Sequence, residues 1–252
     1  MRPDKRREGL NFLTYIYLYV KNVLVSRENL GEIPRLVGRD YLQSRVKEGM
    51  EIGVAGVMAL ATLPIQAGAI LVVRVMDGNP VLISLRGDLP GKRNREFCHR
   101  KIRTMVPGAQ NSEVEVMEGR PVAEVKRKGE DPRITRVGRF LRRLSIDELP
   151  QLYQVLRGEL ALVGPRAPVR ADLVYMGLHP ENRDLYDEYG QMWDSGVMPG
   201  ITGMAMVRGR ADISFEDRIR WDLWYAENAC LGLDLDIILS TFTTVISRKG
   251  AY

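Results

Sequence analysis

The sequence has almost no cysteine. Cys98 and Cys230 lie far apart, and neither has a ligand cluster beside it. Such a pair builds neither a disulfide framework nor a zinc site, and it suits a reducing compartment. Internal repeats and low-complexity tracts are missing too. A cleavable signal peptide is not expected. The basic start (Arg2, Lys5, Arg6, Arg7) leads into a tyrosine-rich stretch broken by Lys21, with no small-residue cleavage site. Charge, by contrast, is plentiful at 27% of residues, which excludes a purely membrane-buried protein.

The 252 residues suffice for one catalytic domain with a real core, or for two small ones. A formal net charge of +5 and a pI of about 9.2 suit anionic partners: phosphates, nucleic acid or the anionic face of a bilayer. A solvated basic surface fits the same numbers. Nucleic acid has no recognisable motif here, and the uncharged segment described next argues against it.

That segment runs from Ile52 to Val73, IGVAGVMALATLPIQAGAILVV. It is long enough to span a bilayer as a straight helix. Pro64 near its middle removes a backbone hydrogen bond, so a bend is expected at Leu63–Pro64. Both flanks are basic: Arg39, Arg45 and Lys47 before it, then Arg74, Arg86, Lys92, Arg93 and Arg95 after it. Positive residues favour the cytoplasmic side, so the pattern suits a helix that enters and leaves by one face. Gln66 is placed to satisfy backbone groups freed at the bend. A straight transmembrane helix and a buried core helix are the alternatives. Residues 10–25 form a second apolar-aromatic helix candidate, suited to the interface or to a partner helix such as a homodimer contact.

Beyond Asp77 a soluble part is expected. Asp77-Gly78-Asn79-Pro80 signals a turn, and VLISLR after it reads as a strand. Gly87–Arg95 reads as a loop, 97–105 as a strand or short ordered segment, and 106–132 as a surface excursion. Ile134, Val137, Phe140 and Leu141 recur at helical spacing, with Arg136, Arg139 and Arg143 toward the other face. Further helices are expected over 147–157, 168–195, 214–229 and 233–248. The fold class is mostly α with a small β component.

The most informative segment is RRLSIDELPQLYQVLRGELALVGPRAPV. Proline is tolerated in the first turn of a helix, so Pro150 places a helix start near Asp147. Ser145 and Glu148 have capping-box spacing. Asp147 and Glu148 then sit at a helix N-terminus, where amides and dipole favour ionised carboxylates. Such carboxylates can be a nucleophile, metal ligands or caps. Arg142, Arg143 and the Gly164-Pro165-Arg166 turn flank them, and Lys101 and Arg103 add cations. Acid beside base suits a site for phosphate plus a divalent metal.

The stretch Asp131 to Arg166 resembles the signature of bacterial sugar transferases, the monotopic phosphoglycosyl transferases. KIRTMVP (Lys101 to Pro107), PGITG (Pro199 to Gly203) with Gly209-Arg210, and the C-terminal Leu233–Ser247 are similar as well. The resemblance covers residues 47–252. It implies a re-entrant membrane helix (47–76) after an N-terminal extension (1–46), and a cytoplasmic catalytic domain (77–252) with interfacial amphipathic helices. It implies transfer of a sugar 1-phosphate from a nucleoside diphosphate sugar to polyprenol phosphate, usually undecaprenyl phosphate. The site would lie on the cytoplasmic face of a bacterial inner membrane, with downstream glycosyltransferases as further partners. By resemblance Asp147 attacks and forms a phosphosugar-aspartyl intermediate, and Glu148 supports it. Both would hold Mg²⁺, while Lys101, Arg103, Arg142, Arg166 and Arg210 bind phosphates or substrate. Trp193, Trp221, Trp224 and Tyr225 would either anchor helices at the interface or pack as ordinary core aromatics.

This chain departs from the family pattern at several positions. Glu51 replaces the Asp paired with Lys47, Met198 a basic residue, and Met204 and Met206 a Trp and a Gln. Ala167 replaces a proline, and Gly108 stands where an acidic residue is common. The 198–206 changes favour one rival reading: a catalytically degenerate membrane module that binds lipid phosphate or a partner glycosyltransferase. Release of nucleoside monophosphate from a nucleotide-sugar separates the two.

Overall fold

The computed structural model describes residues 37–90, 96–109, 131–168, 170–208 and 213–246. The chain divides after Arg35, and everything described lies beyond that division. The candidate helix at 10–25 therefore falls outside the described residues.

A short helix, α1 (Arg39–Leu42), precedes the long α2 (Arg45–Met76). Ser44 caps α2 by accepting a hydrogen bond from the Lys47 amide. Asp77 closes it, followed by Gly78 at φ 75°, a conformation that costs glycine nothing. The helix has 32 residues, about 48 Å at 1.5 Å per residue. One stripe is buried: Lys47, Glu51, Ala55, Ala59, Gln66, Ala69 and Val73, spaced by three, four or seven residues. It carries mostly small or polar side chains. The large apolar ones face outward, among them Val57 (70% exposed), Leu60 (76%), Leu71 (63%) and Val75 (72%). A water-soluble helix would bury this face instead.

The helix runs without interruption through Pro64. The expected break at Leu63–Pro64 thus ends no helix; both residues are interior to it and exposed. Gln66 also differs from expectation. Its amide donates to the Thr62 hydroxyl (3.1 Å), which donates to the Met58 carbonyl (2.7 Å). It therefore caps a side chain, not a freed backbone group.

Strands β1 (Leu82–Pro90) and β2 (Glu96–Ile102) form an antiparallel hairpin, with Ile83 opposite Lys101 and Leu85 opposite His99. The first strand outruns the expected VLISLR: regular pairing covers Leu82–Arg86, and beyond an irregularity Pro90 again lies opposite Glu96. Helix α3 (Arg136–Arg143) follows, capped by the Thr135 hydroxyl at the Gly138 amide. Then come a 3-10 segment (Ile146–Gln151), α4 (Leu152–Leu156), β3 (Ala161–Val163), α5 (Arg170–Leu178), α6 (Arg183–Asp194), β4 (Gly200–Thr202), α7 (Met204–Arg208), α8 (Phe215–Asn228) and α9 (Leu231–Ile246). The result is mostly helical, as the sequence reading expects, but β3 and β4 form a parallel pair it does not contain. Three residues are too few to show a period.

Glycine permits that pairing. A methyl on Gly200 would meet the Gly164 nitrogen at 2.1 Å, and one on Gly203 the Gly164 carbonyl oxygen at 2.2 Å. Overpacking against rigid backbone costs about 3 kcal/mol. Gly200→Ala is therefore expected to lower the thermal unfolding temperature of detergent-extracted protein clearly. An unchanged transition would show that the contact is not close.

One apolar core joins α6 and α8: Tyr186, Tyr189, Met192 and Trp193 against Phe215, Ile219 and Ala226. A smaller one places Ala69 and Val73 of α2 against Ile102 and Leu141. Trp193, Trp221, Trp224 and Tyr225, expected as either interfacial anchors or core aromatics, are at most 7% exposed and belong to the core. Met204, one of the departures, is 1% exposed and is also a core residue.

A buried polar knot ties α2 to the rest. The Lys47 ammonium sits 2.9 Å from Glu51 and 2.7 Å from Asp234, and donates to the Val163 carbonyl and the Tyr225 hydroxyl. Tyr41 and Tyr225 also donate to Asp234. Glu51 accepts from the Leu162 and Val163 amides at 3.0 and 3.1 Å. Lys47 thus serves inside the protein and adds nothing to the basic flank of α2. Residues 37–44, grouped with the N-terminal extension in the sequence reading, are joined to α9 through Tyr41.

Candidate active site

The site is assembled on the 3-10 segment Ile146–Gln151. Its entry is Ser145 in the left-handed region (φ 54°), the one non-glycine residue with positive φ among those described. The Ser145 side chain caps nothing; the Glu148 amide bonds to the Ser145 carbonyl instead, at 3.3 Å. The expected capping box is therefore replaced by a backbone turn. Pro150 sits within the segment, and α-helix begins only at Leu152. A 3-10 turn accommodates the proline where a full α-turn would need its missing amide.

Asp147 is 6% exposed, and Glu148 is half-buried beside it. The Lys101 ammonium lies 2.6 Å from a Glu148 oxygen. Side chains two apart on a strand share a face, so His99 joins Lys101 against this segment. Arg142 donates to the Thr104 hydroxyl at 2.7 Å and is half-buried. Burial pulls its guanidinium below the ordinary value, while Asp147, Asp131 and Glu148 support its charge. Burial pushes the Asp131 carboxyl up, but hydrogen bonds from the Arg133 side chain and amide outweigh this and hold it below the usual range. Asp147 thus has a cation near it, and Glu148 is held by a second.

Arg166 lies on the turn after β3, gripped through its backbone. Tyr189 donates to its carbonyl at 3.0 Å, and Asp222 accepts from its backbone. Asp222 is fully buried beside Arg218, which bonds Asp172 at 3.2 Å. Burial pushes the Asp222 carboxyl up to about 7, against the pull of Arg218 and Arg166. Its folded form therefore holds a proton more tightly than the unfolded chain does. The associated stability is complete below the ordinary carboxylate range and is lost as pH rises through about 7. Asp222→Asn is expected to flatten that decline in a pH 5 to 8 thermal-unfolding series. The same slope in variant and wild type would sink this assignment.

Two of the expected phosphate-binding residues fare differently from Lys101, Arg142 and Arg166. Arg103 is 3% exposed, and its guanidinium donates to the Asp77 and Gly78 carbonyls at the C-terminal end of α2. It holds the helix end instead of joining Glu148, because a cation there meets unpaired carbonyls. Arg210 lies outside the described residues.

His99 is the neighbour the sequence reading missed. Burial pushes its ring down to about 4, assisted by Lys101 and Arg166, while Glu148 and a hydrogen bond with Gln151 oppose the shift. A neutral imidazole thus lies among the charges. Its spacing of two from Lys101 on a strand was the available signal.

Among the described residues no group of three or more His, Cys, Asp or Glu could hold a metal alone. Mg²⁺ commonly binds through one or two carboxylates plus substrate phosphates. Asp147 and Glu148 fit that second arrangement.

A model of the bacterial sugar transferase family matches residues 42–248. A UDP-galactose-lipid carrier transferase of Erwinia amylovora is 36% identical over 79% of this chain and 40% of its own length. An undecaprenyl-phosphate galactose phosphotransferase of Salmonella typhimurium is 36% identical over 70% of this chain and 35% of its own. The exopolysaccharide production protein ExoY of Sinorhizobium fredii is 31% identical over 82% of this chain and 88% of its own. The chain thus spans well under half the length of the first two relatives and most of the third.

Proposed function

The chain belongs to the bacterial sugar transferase family, and from that premise we propose that it moves a sugar 1-phosphate from a nucleoside diphosphate sugar to polyprenol phosphate. The observation that carries the reading is the buried Asp147 on its 3-10 turn, with Arg142 near it and Glu148 held by Lys101. The names of the relatives, with a lipid carrier and undecaprenyl phosphate in them, support the acceptor.

In the first step an Asp147 oxygen attacks the sugar-bearing phosphorus. A new P–O bond forms, and the bond to the bridging oxygen breaks. The nucleoside monophosphate leaves with that electron pair. In the second step an oxygen of the lipid phosphate attacks the same phosphorus and releases the Asp147 carboxylate. This is covalent catalysis by a carboxylate. Arg142 and Arg166 would offer bidentate contacts to phosphate oxygens. Lys101 holds Glu148 and leaves Asp147 to attack. Asp147 and Glu148 would hold Mg²⁺ together with the substrate phosphates, where it neutralises developing charge. A re-entrant α2 at the cytoplasmic face would set the site at the level of the lipid phosphate. The outward apolar face of that helix supports this placement.

A panel of nucleotide-sugars, each incubated with membrane-extracted protein and polyprenol phosphate, tests the reading. Mg²⁺-dependent release of nucleoside monophosphate from one of them is expected. No release from any donor would leave the degenerate-module reading standing.

A further inference from the structure

The outer face of α3 has no role in the site. On that helix Val137 and Leu141 pack toward α2 and β2, and Arg142 turns to the carboxylates. Arg136, Arg139, Phe140 and Arg143 are all exposed. Their spacing, i, i+3, i+4 and i+7, makes them one stripe. Phe140 is 60% exposed, an unusual position for a phenylalanine beside three arginines. By helical rotation it falls between the α2-facing residues and the arginines. Among the described residues none of the three arginines makes an ion pair.

The neighbour of this stripe decides what covers it. Leu141 of α3 shares a core cluster with Ala69 and Val73 of α2. Val73 lies nine positions after Pro64, about 14 Å of helix at 1.5 Å per residue. That is close to half of the roughly 30 Å hydrocarbon core. With Pro64 deepest, α3 lies at headgroup depth, and exposed Arg74 joins it there. Apolar residues toward the bilayer helix, an aromatic at the edge and arginines beyond form the gradient of an interfacial surface.

We propose that the Arg136–Arg139–Phe140–Arg143 face binds anionic phospholipid headgroups, so that the lipid composition around the enzyme is selected beside its site. This rests on the membrane placement proposed above. Each arginine near an anionic surface is worth about a fivefold enrichment.

The test places a fluorophore on the stripe. Phe140→Cys is labelled with bimane in a Cys98→Ser/Cys230→Ser background, in phosphatidylcholine nanodiscs. Trace spin-labelled phosphatidylglycerol is compared with trace spin-labelled phosphatidylcholine as quencher. Phosphatidylglycerol is expected to quench about fivefold more strongly or better. Arg136→Gln/Arg139→Gln/Arg143→Gln should bring the two lipids level, and 1 M salt should weaken the preference. Equal quenching with the arginines intact would overturn the proposal. So would no quenching by either lipid, or loss of the preference on adding a nucleotide-sugar, which would mark the stripe as a site for the soluble donor. Nucleoside monophosphate release in the same nanodiscs separates the two readings. Release without a lipid preference defeats only this proposal; a preference without release defeats only the transferase reading.

Discussion

Asp147→Asn is expected to cut transfer of sugar phosphate to polyprenol phosphate by roughly four orders of magnitude, the scale seen when a nucleophile is removed from a unit of cooperating groups. Asparagine keeps the volume and removes the charge, so the 3-10 turn should persist. The variant should stay in membranes and unfold near the wild-type temperature. Glu148→Gln should be milder, about a hundredfold, because Glu148 already faces Lys101. Loss of one ion pair is less costly than loss of the attacking atom. If the two variants lost equal activity, the separate roles of the adjacent carboxylates would be wrong.

Lys47→Met is expected to have the largest effect on stability. Glu51 and Asp234 would both be left buried without their shared cation. Breaking a buried ion cluster by removing one partner costs about 3–5 kcal/mol. That is a large fraction of a typical domain's stability. The variant should be poorly recovered from membranes and should melt at a much lower temperature. Neutralising all three with Lys47→Met/Glu51→Gln/Asp234→Asn should restore most of the loss. If Lys47→Met melted like wild type, the knot would contribute little to holding α2.

Much of this was legible before any coordinates. The long apolar helix, the two hairpin strands, α3 and helical segments near 168–195, 214–229 and 233–248 follow from local pattern, while the division of 168–195 into α5 and α6 and the short α7 do not. Pro150 correctly placed a helical start at Asp147 and Glu148. What failed was decided by tertiary contact. Pro150 is accommodated in a 3-10 turn whose entry, Ser145, takes a left-handed conformation that spacing does not reveal. The tryptophans suit either the interface or the core in sequence, and only tertiary contact puts them inside. Lys47 looks like a flanking charge until Asp234, far away in the chain, meets it. Arg103 and Lys101 sit two apart in one motif; one reaches Glu148 and the other the end of α2. The β3–β4 pair depends on three glycines meeting, which a linear reading cannot supply.

Quenched-reaction mass spectrometry with a reactive nucleotide-sugar and no lipid acceptor tests the Asp147 nucleophile most directly. The protein should gain the mass of one sugar phosphate, mapped to the peptide that holds Asp147. The gain should vanish on adding polyprenol phosphate and be absent in Asp147→Asn. Full product formation with no adduct, or an adduct on another residue, would contradict attack by Asp147.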